Sequence, residues 1–223
     1  MGITVPLLSA HAADFAPDRP GMGSSTEVVP RYASMIETGA SIGGTLGQSP
    51  VLGLPGLLGR VGLKADDIEL RVGTPGVVVP FQGPLGATPL QVGMKWAGGD
   101  AIGWSIVPMA GVPLPGNGDP LGVLSADLEA NLTWAATSQD WGLWGMGHGG
   151  AGRDAAWGGG TAGAWYNPDG VGLYAQSGWE SGLLVGGGGW WEVQPGVQSD
   201  LGVDVWPGLP ATVVVRAGLS VQR

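Results

Sequence analysis

Between Val197 and Arg223 the chain alternates apolar and polar residues twice over, with one sharp turn between the two runs. Val197, Leu201, Val203 and Val205 are interleaved with Gln198, Asp200, Gly202 and Asp204. After Pro207-Gly208-Leu209-Pro210, the residues Val213, Val215, Ala217, Leu219 and Val221 are interleaved with Val214, Arg216, Gly218, Ser220 and Gln222. A period of two is the period of a β-strand, so this stretch predicts a hairpin with one apolar and one polar face. Asp200, Asp204 and Arg216 on the second face suit no dry protein core. They suit a barrel with lipid outside and water within.

The same alternation recurs upstream. Strands are predicted near Arg31 to Ile42, Leu57 to Lys64 and Ile68 to Val72, then Leu90 to Trp96, Ile102 to Ile106 and Leu128 to Trp134. A Gly- and Trp-rich pair across Trp141 to Tyr166 follows, then Leu173 to Glu180 and Leu183 to Gln194. Gly43 to Gly56 reads as a loop, although Val51 to Leu54 could extend the next strand. A second long loop is expected around Pro113 to Pro120. The total is about twelve strands of roughly ten residues, joined alternately by short turns and longer loops, as in bacterial outer-membrane barrels. The fold class expected is therefore all-β, an antiparallel transmembrane β-barrel of about 12 strands. A soluble β-sandwich also has many short strands; it would behave as a monomer in buffer without detergent.

Composition narrows the choice. Mean hydropathy is +0.20, yet no window holds the roughly 18 apolar residues in a row that a membrane-spanning helix needs. The hydrophobicity is spread in alternation instead. Glycine supplies 45 of 223 residues, many of them on the polar face, where they leave room in a lumen and weaken a packed core. Eleven Trp against two Phe suit a membrane–water interface, where the ring is buried and its N–H stays wet; ordinary core tryptophans of a soluble β protein are the alternative.

The formal charge of −9, with nine scattered Lys and Arg, argues against a nucleic-acid partner. The absence of cysteine removes disulfides and thiolate metal sites. Residues 1–13 contain Ala10-His11-Ala12 before Ala13-Asp14, which reads like the cleavage site of a truncated signal peptide, or else an N-terminal tail. Residues 14–30 are turn-rich and read as an extended periplasmic lead-in, leaving 31–223 for the barrel.

Several runs carry a resemblance: DRPGMGSSTEVVPRYASMIETG (Asp18 to Gly39), IELRVG (Ile68 to Gly73), LQVGMKW (Leu90 to Trp96), VPLPGNGD (Val112 to Asp119) and the closing VQSDLGVDVWPGLPATVVVRAGLSVQR (Val197 to Arg223). In order and spacing they resemble a family of outer-membrane transporters named for the meta-cleavage pathway of phenol degradation. The resemblance implies a barrel in the bacterial outer membrane that moves small hydrophobic or aromatic molecules. Its partners would be outer-membrane lipid, an unspecified permeant and the barrel assembly machinery. That machinery usually reads a terminal aromatic, whereas this chain ends Val221-Gln222-Arg223.

By parity the lumen-facing charges are Glu37, Arg60, Lys64, Glu69, Arg71, Lys95, Asp127, Glu129, Glu180, Glu192, Asp200, Asp204 and Arg216. Opposed residues on neighbouring strands sit about 5 Å apart, so these charges either select permeants in a polar conduit or pair into a ladder that fills a narrow barrel. A barrel of about twelve strands has room for either outcome. Enzymatic chemistry finds little support. His148 shares parity with Trp144 and Met146 and has no serine in a nucleophile turn. Gly158 to Gly160 and Gly186 to Gly189 lack the Gly-Lys-Ser/Thr of a phosphate loop. No cofactor and no metal are expected.

Overall fold

The computed structural model describes residues 18, 25–74, 76–82, 86–87, 90–99, 102–112, 125–135, 140–151, 156–168, 171–180, 182–208 and 210–223. Fourteen β-strands occupy them: β1 (Ser34–Thr45), β2 (Val51–Gly62), β3 (Ile68–Thr74), β4 (Val77–Pro80), β5 (Gly86–Ala87), β6 (Leu90–Gly98), β7 (Ile102–Val112), β8 (Ser125–Ala135), β9 (Trp141–Ala151), β10 (Ala156–Tyr166), β11 (Val171–Glu180), β12 (Leu183–Gln194), β13 (Val197–Trp206) and β14 (Thr212–Gln222). Every pairing between them is antiparallel, and β1 pairs with both β2 and β14. The sheet closes on itself through β1, which is the condition for a sheet to cross lipid.

Two wall strands are each built from two pieces. The second half of β2 pairs with β3, from Leu57↔Thr74 to Gly62↔Glu69, while its first half pairs with β4, from Val51↔Pro80 to Leu54↔Val77. β5 and β6 share the next wall position in the same way, β5 beside β4 and β6 beside β3. The wall therefore has twelve strands. At the height of these joints the β1–β2 register also jumps, between Gly39 and Ser41, and Gly76 takes a φ of +98°. Pro55 lies in β2 between the two registers, and proline cannot donate to a ladder.

The expected loop over Gly43 to Gly56 is thus corrected. β1 runs on to Thr45, and β2 begins at Val51. The extension that Val51 to Leu54 allowed is the one found; the alternation across it is broken because the strand changes register between Gly53 and Gly56. The loop expected around Pro113 to Pro120 and the segment 1–13 lie outside the described residues.

Apolar residues face outward on every long strand. Leu132 is 59% exposed and Leu173 60%, values that make sense only against lipid. Strands of ten to twelve residues, tilted as in such barrels, span a hydrocarbon layer. Near the barrel end that holds the start of β1 and the end of β14, the aromatics Trp104, Trp134, Trp141, Tyr166 and Trp191 all point outward. Trp134 and Trp141 meet edge to face, with ring centroids 5.1 Å apart. This is an aromatic girdle at one membrane interface, as the tryptophan content suggested. It uses only part of the tryptophan, however.

Candidate functional site: a two-sided lumen

The inner wall of β1, β2, β3 and β6 carries charge. Register places Arg60 directly opposite Arg71 and Glu69 opposite Lys95. Two facing arginines repel each other, so the arrangement stands only because carboxylates are threaded between them. Arg60 Nε donates to Glu69 Oε1 (2.8 Å), its Nη2 to Glu69 Oε2 (2.9 Å) and its Nη1 to Glu37 Oε1 (2.9 Å). This is the forked geometry in which guanidinium matches carboxylate best. Arg60, Glu69 and Lys95 are all at 0% exposure. On these strands lie three cations, Arg60, Arg71 and Lys95, and two carboxylates, Glu37 and Glu69.

The third carboxylate comes from the N-terminal segment. Asp18 pairs with Arg71, with Lys95 Nζ at 3.0 Å and with Arg60 Nη1 at 3.4 Å. Its own amide donates to Glu37 Oε1 (3.1 Å), and the amide and hydroxyl of Ser25 donate to its Oδ1 at 2.9 and 3.1 Å. Residues 25–30 then follow the inner wall toward the start of β1. Ser105 Oγ donates to the Ser25 carbonyl (3.2 Å), Arg60 Nη2 to the Glu27 carbonyl (3.2 Å) and the Val29 amide to Glu69 Oε2 (2.8 Å). Val29 is buried. A Cβ on Gly62 would strike the carbonyl oxygens of Pro30 and Val29, and one on Gly103 would strike Thr26. Where it is described, the expected lead-in is therefore a plug leaning on β2, β3, β6 and β7.

Burial alone would push the Asp18 carboxyl up. Arg60, Arg71 and Lys95 outweigh that and hold it well below the ordinary value of 3.8. A carboxyl lowered on docking favours the docked state fully above its free value and loses that contribution as pH falls toward the docked one. Glu37, Arg60, Glu69, Arg71, Lys95 and Ser25 all face it. Amide-exchange protection at Val29, corrected for intrinsic rates, is expected to stay flat from pH 8 to pH 5 and to fall only below about pH 4. Loss of protection near neutrality would contradict this.

The other half of the wall is different. Trp144 on β9, Trp165 on β10, Tyr174 on β11 and Trp190 on β12 all turn inward. Each is paired across the ladder with a glycine: Trp144 with Gly163, Trp165 with Gly142, Tyr174 with Gly188, and Trp190 with Gly172. A Cβ at any of these glycines would run into the ring of its aromatic partner, so the rings lie against bare backbone. The tryptophans among them are half-buried and form a ledge on the wall. Strand order puts β9 to β12 across the ring from β1 to β6, and thus across the lumen from the plug's charged anchor.

Beside the ledge, Asp204 pairs with Arg216 and accepts from Gln176 Nε2 at 2.5 Å. Between the two halves, Asn131 Nδ2 donates to Ser105 Oγ (3.1 Å) and to Glu129 Oε1 (2.8 Å).

Of the charges expected in the lumen, Glu37, Arg60, Glu69, Arg71, Lys95, Asp200 and Asp204 lie buried on the inner face, and Glu129 and Arg216 lie partly buried there. The closing hairpin returns to the first strand, with Glu37 opposite Ser220 and Ser41 opposite Arg216. Lys64 is corrected: it sits exposed in the turn after β2, because the strand ends at Gly62. Glu192 lies exposed near the barrel's rim and accepts from the Gly196 amide (3.2 Å). Asp127 and Glu180 occupy β8 and β11, and their side chains lie outside the described residues.

His148 faces inward opposite Glu129 and Gly159. Among the described residues there is no cluster of three His, Cys, Asp or Glu suited to a metal. Sequence reading missed Asp18 and the inward Trp144, Trp165 and Trp190. The rings had a signal, since Trp144, Trp165 and Trp190 share parity with their strands' polar or glycine positions, but their glycine partners emerge only with the register.

The architecture defines a class: a closed antiparallel barrel with an apolar exterior, an aromatic girdle and a polar interior is a bacterial outer-membrane β-barrel. Comparison with solved structures agrees. A channel from the outer membrane of Pseudomonas putida F1 is similar over 92% of this chain and 100% of that one, with a TM-score of 0.61 and 11% identity. An outer membrane protein of Acinetobacter baumannii is similar over 86% of this chain and 99% of that one, with a TM-score of 0.48 and 8% identity. No family model matches the sequence, and no curated protein does.

Proposed function

We propose that the barrel is a passive channel for small molecules, with its route running between the plug and the aromatic ledge. The observation that carries this reading is the glycine floor under Trp144, Trp165, Tyr174 and Trp190. Side chains that were there only to fill a core would project into it. These lie against glycine backbone on the side of the wall away from the plug. Flat π-faces bordered by Gln176, Asp204 and Arg216 suit ring-bearing solutes, held by stacking with polar groups setting their orientation. The joints at one height across β2 to β6 interrupt the wall's ladder, a feature suited to apolar permeants that exchange with the membrane. The similar channel from Pseudomonas putida supports the reading through its fold.

In planar bilayers the purified protein is expected to give discrete conductance steps. Trp190→Ala is expected to shorten the dwell time of current block by a neutral aromatic solute by several-fold, since one stacking contact is worth roughly 0.5–1.5 kcal/mol. Silent bilayers, together with liposomes that admit no solute, would mean a non-conducting structural barrel.

A further inference from the structure

We infer that Arg60, Arg71 and Lys95 form a carboxylate-binding site on the barrel wall, filled by the chain's own Asp18, and that small monocarboxylate solutes compete with Asp18 for it and release the plug. The site is built on four paired strands, and its cations are buried. Among the described residues, β1, β2, β3 and β6 supply three cations and two carboxylates to this cluster, and Asp18 supplies the third carboxylate. Asp18 shows what that ligand looks like, with Lys95 on Oδ1 and Arg71 on Oδ2.

Asp18 also differs in kind from the wall carboxylates. Glu37 and Glu69 are fixed by strand ladders, whereas Asp18 lies 53 residues from Arg71 and 77 from Lys95 along the chain. Beyond this carboxylate, the described residues of the plug meet the wall through hydrogen bonds from Val29 to Glu69, from Ser105 to Ser25, from Lys95 to the Ser25 hydroxyl, from Arg60 to the Glu27 carbonyl and from the Asp18 amide to Glu37. Exchange of one carboxylate for another leaves the balance at three charges of each sign. A dianion would overshoot it, so monocarboxylates are the class that fits. A tethered group acts at an effective concentration on the order of millimolar, so a free carboxylate competes at millimolar levels and above.

The inference does not depend on permeation, and its test needs no current. The chain has no cysteine, so Val29→Cys places a single thiol at a buried plug position. Its rate of modification by a maleimide in liposomes reports undocking. In chloride at pH 7 the thiol should react slowly, and acetate at equal ionic strength should raise the rate several-fold. Adding Asp18→Asn should raise the chloride rate about tenfold and abolish the response to acetate. Asp18→Glu should restore slow labelling. Heat-modifiable gel migration establishes that each variant barrel is folded. Equal rates in acetate and chloride would overturn the carboxylate site, even if Asp18→Asn labels fast. Slow labelling of Asp18→Asn would overturn the role of Asp18 as its occupant.

Discussion

Arg60→Met is expected to destabilise the folded barrel by about 3–5 kcal/mol, the cost typical of removing one partner from a buried ion pair. Arg60 is at 0% exposure and is the only residue that binds both Glu37 and Glu69 among the hydrogen bonds described above. Methionine fills a similar volume but leaves those carboxylates, with Asp18, facing Arg71 and Lys95 alone. Arg60→Lys retains the charge but gives up the fork that spans two acceptors, so it should fall between the two. The comparison is read from urea midpoints of the heat-modifiable band in liposomes. A midpoint for Arg60→Met within about 0.5 kcal/mol of the parent, the range of a neutral surface change, would show that the cluster does not hold these strands together.

Gly62→Val should have the opposite profile: little effect on the charged cluster and a large effect on the plug. Gly62 faces inward at the end of β2, and a Cβ there has no space beside the Val29 and Pro30 carbonyls. Its backbone also anchors the segment, accepting from the Tyr32 amide and donating to the Ala33 carbonyl, each at 3.1 Å. Valine forces the chain at Pro30 to move while Arg60, Glu69 and Asp18 keep their chemistry. In the Val29→Cys background the thiol should label at least tenfold faster than in the parent, and the urea midpoint should move far less than in Arg60→Met. Equal labelling rates would mean that the plug is not seated against Gly62.

The two variants separate features that the sequence revealed unequally. Alternation exposed the closing hairpin and its return to Glu37 because both faces of β13 and β14 are uninterrupted, and lipid outside enforces one register on them. It was weaker at β2, where the register shifts between Gly53 and Gly56, and at β4 and β5, which are short separate pieces of the wall. The charges of Arg60, Glu69, Arg71 and Lys95 were legible by parity. That Arg60 faces Arg71 was not, since it depends on which residues meet across the ladder. Asp18 was invisible to any strand pattern, as it lies in none. The tryptophans misled in part. Among the described side chains six point outward, as an interface requires, but Trp144, Trp165, Trp190 and Trp206 turn inward.

Those inward rings bear on what sets the calibre of the tube. In most barrels the free bore is the backbone cylinder less whatever its side chains occupy, so a wider passage requires more strands. Here the rings lie over glycines of the neighbouring strands along β9 to β12, where any other residue would place its Cβ. Size selection can then be adjusted one residue at a time. A methyl group at Gly172, whose nearest neighbours are all atoms of the Trp190 ring, would lift that single indole off the wall and narrow the passage locally, with the strand count unchanged.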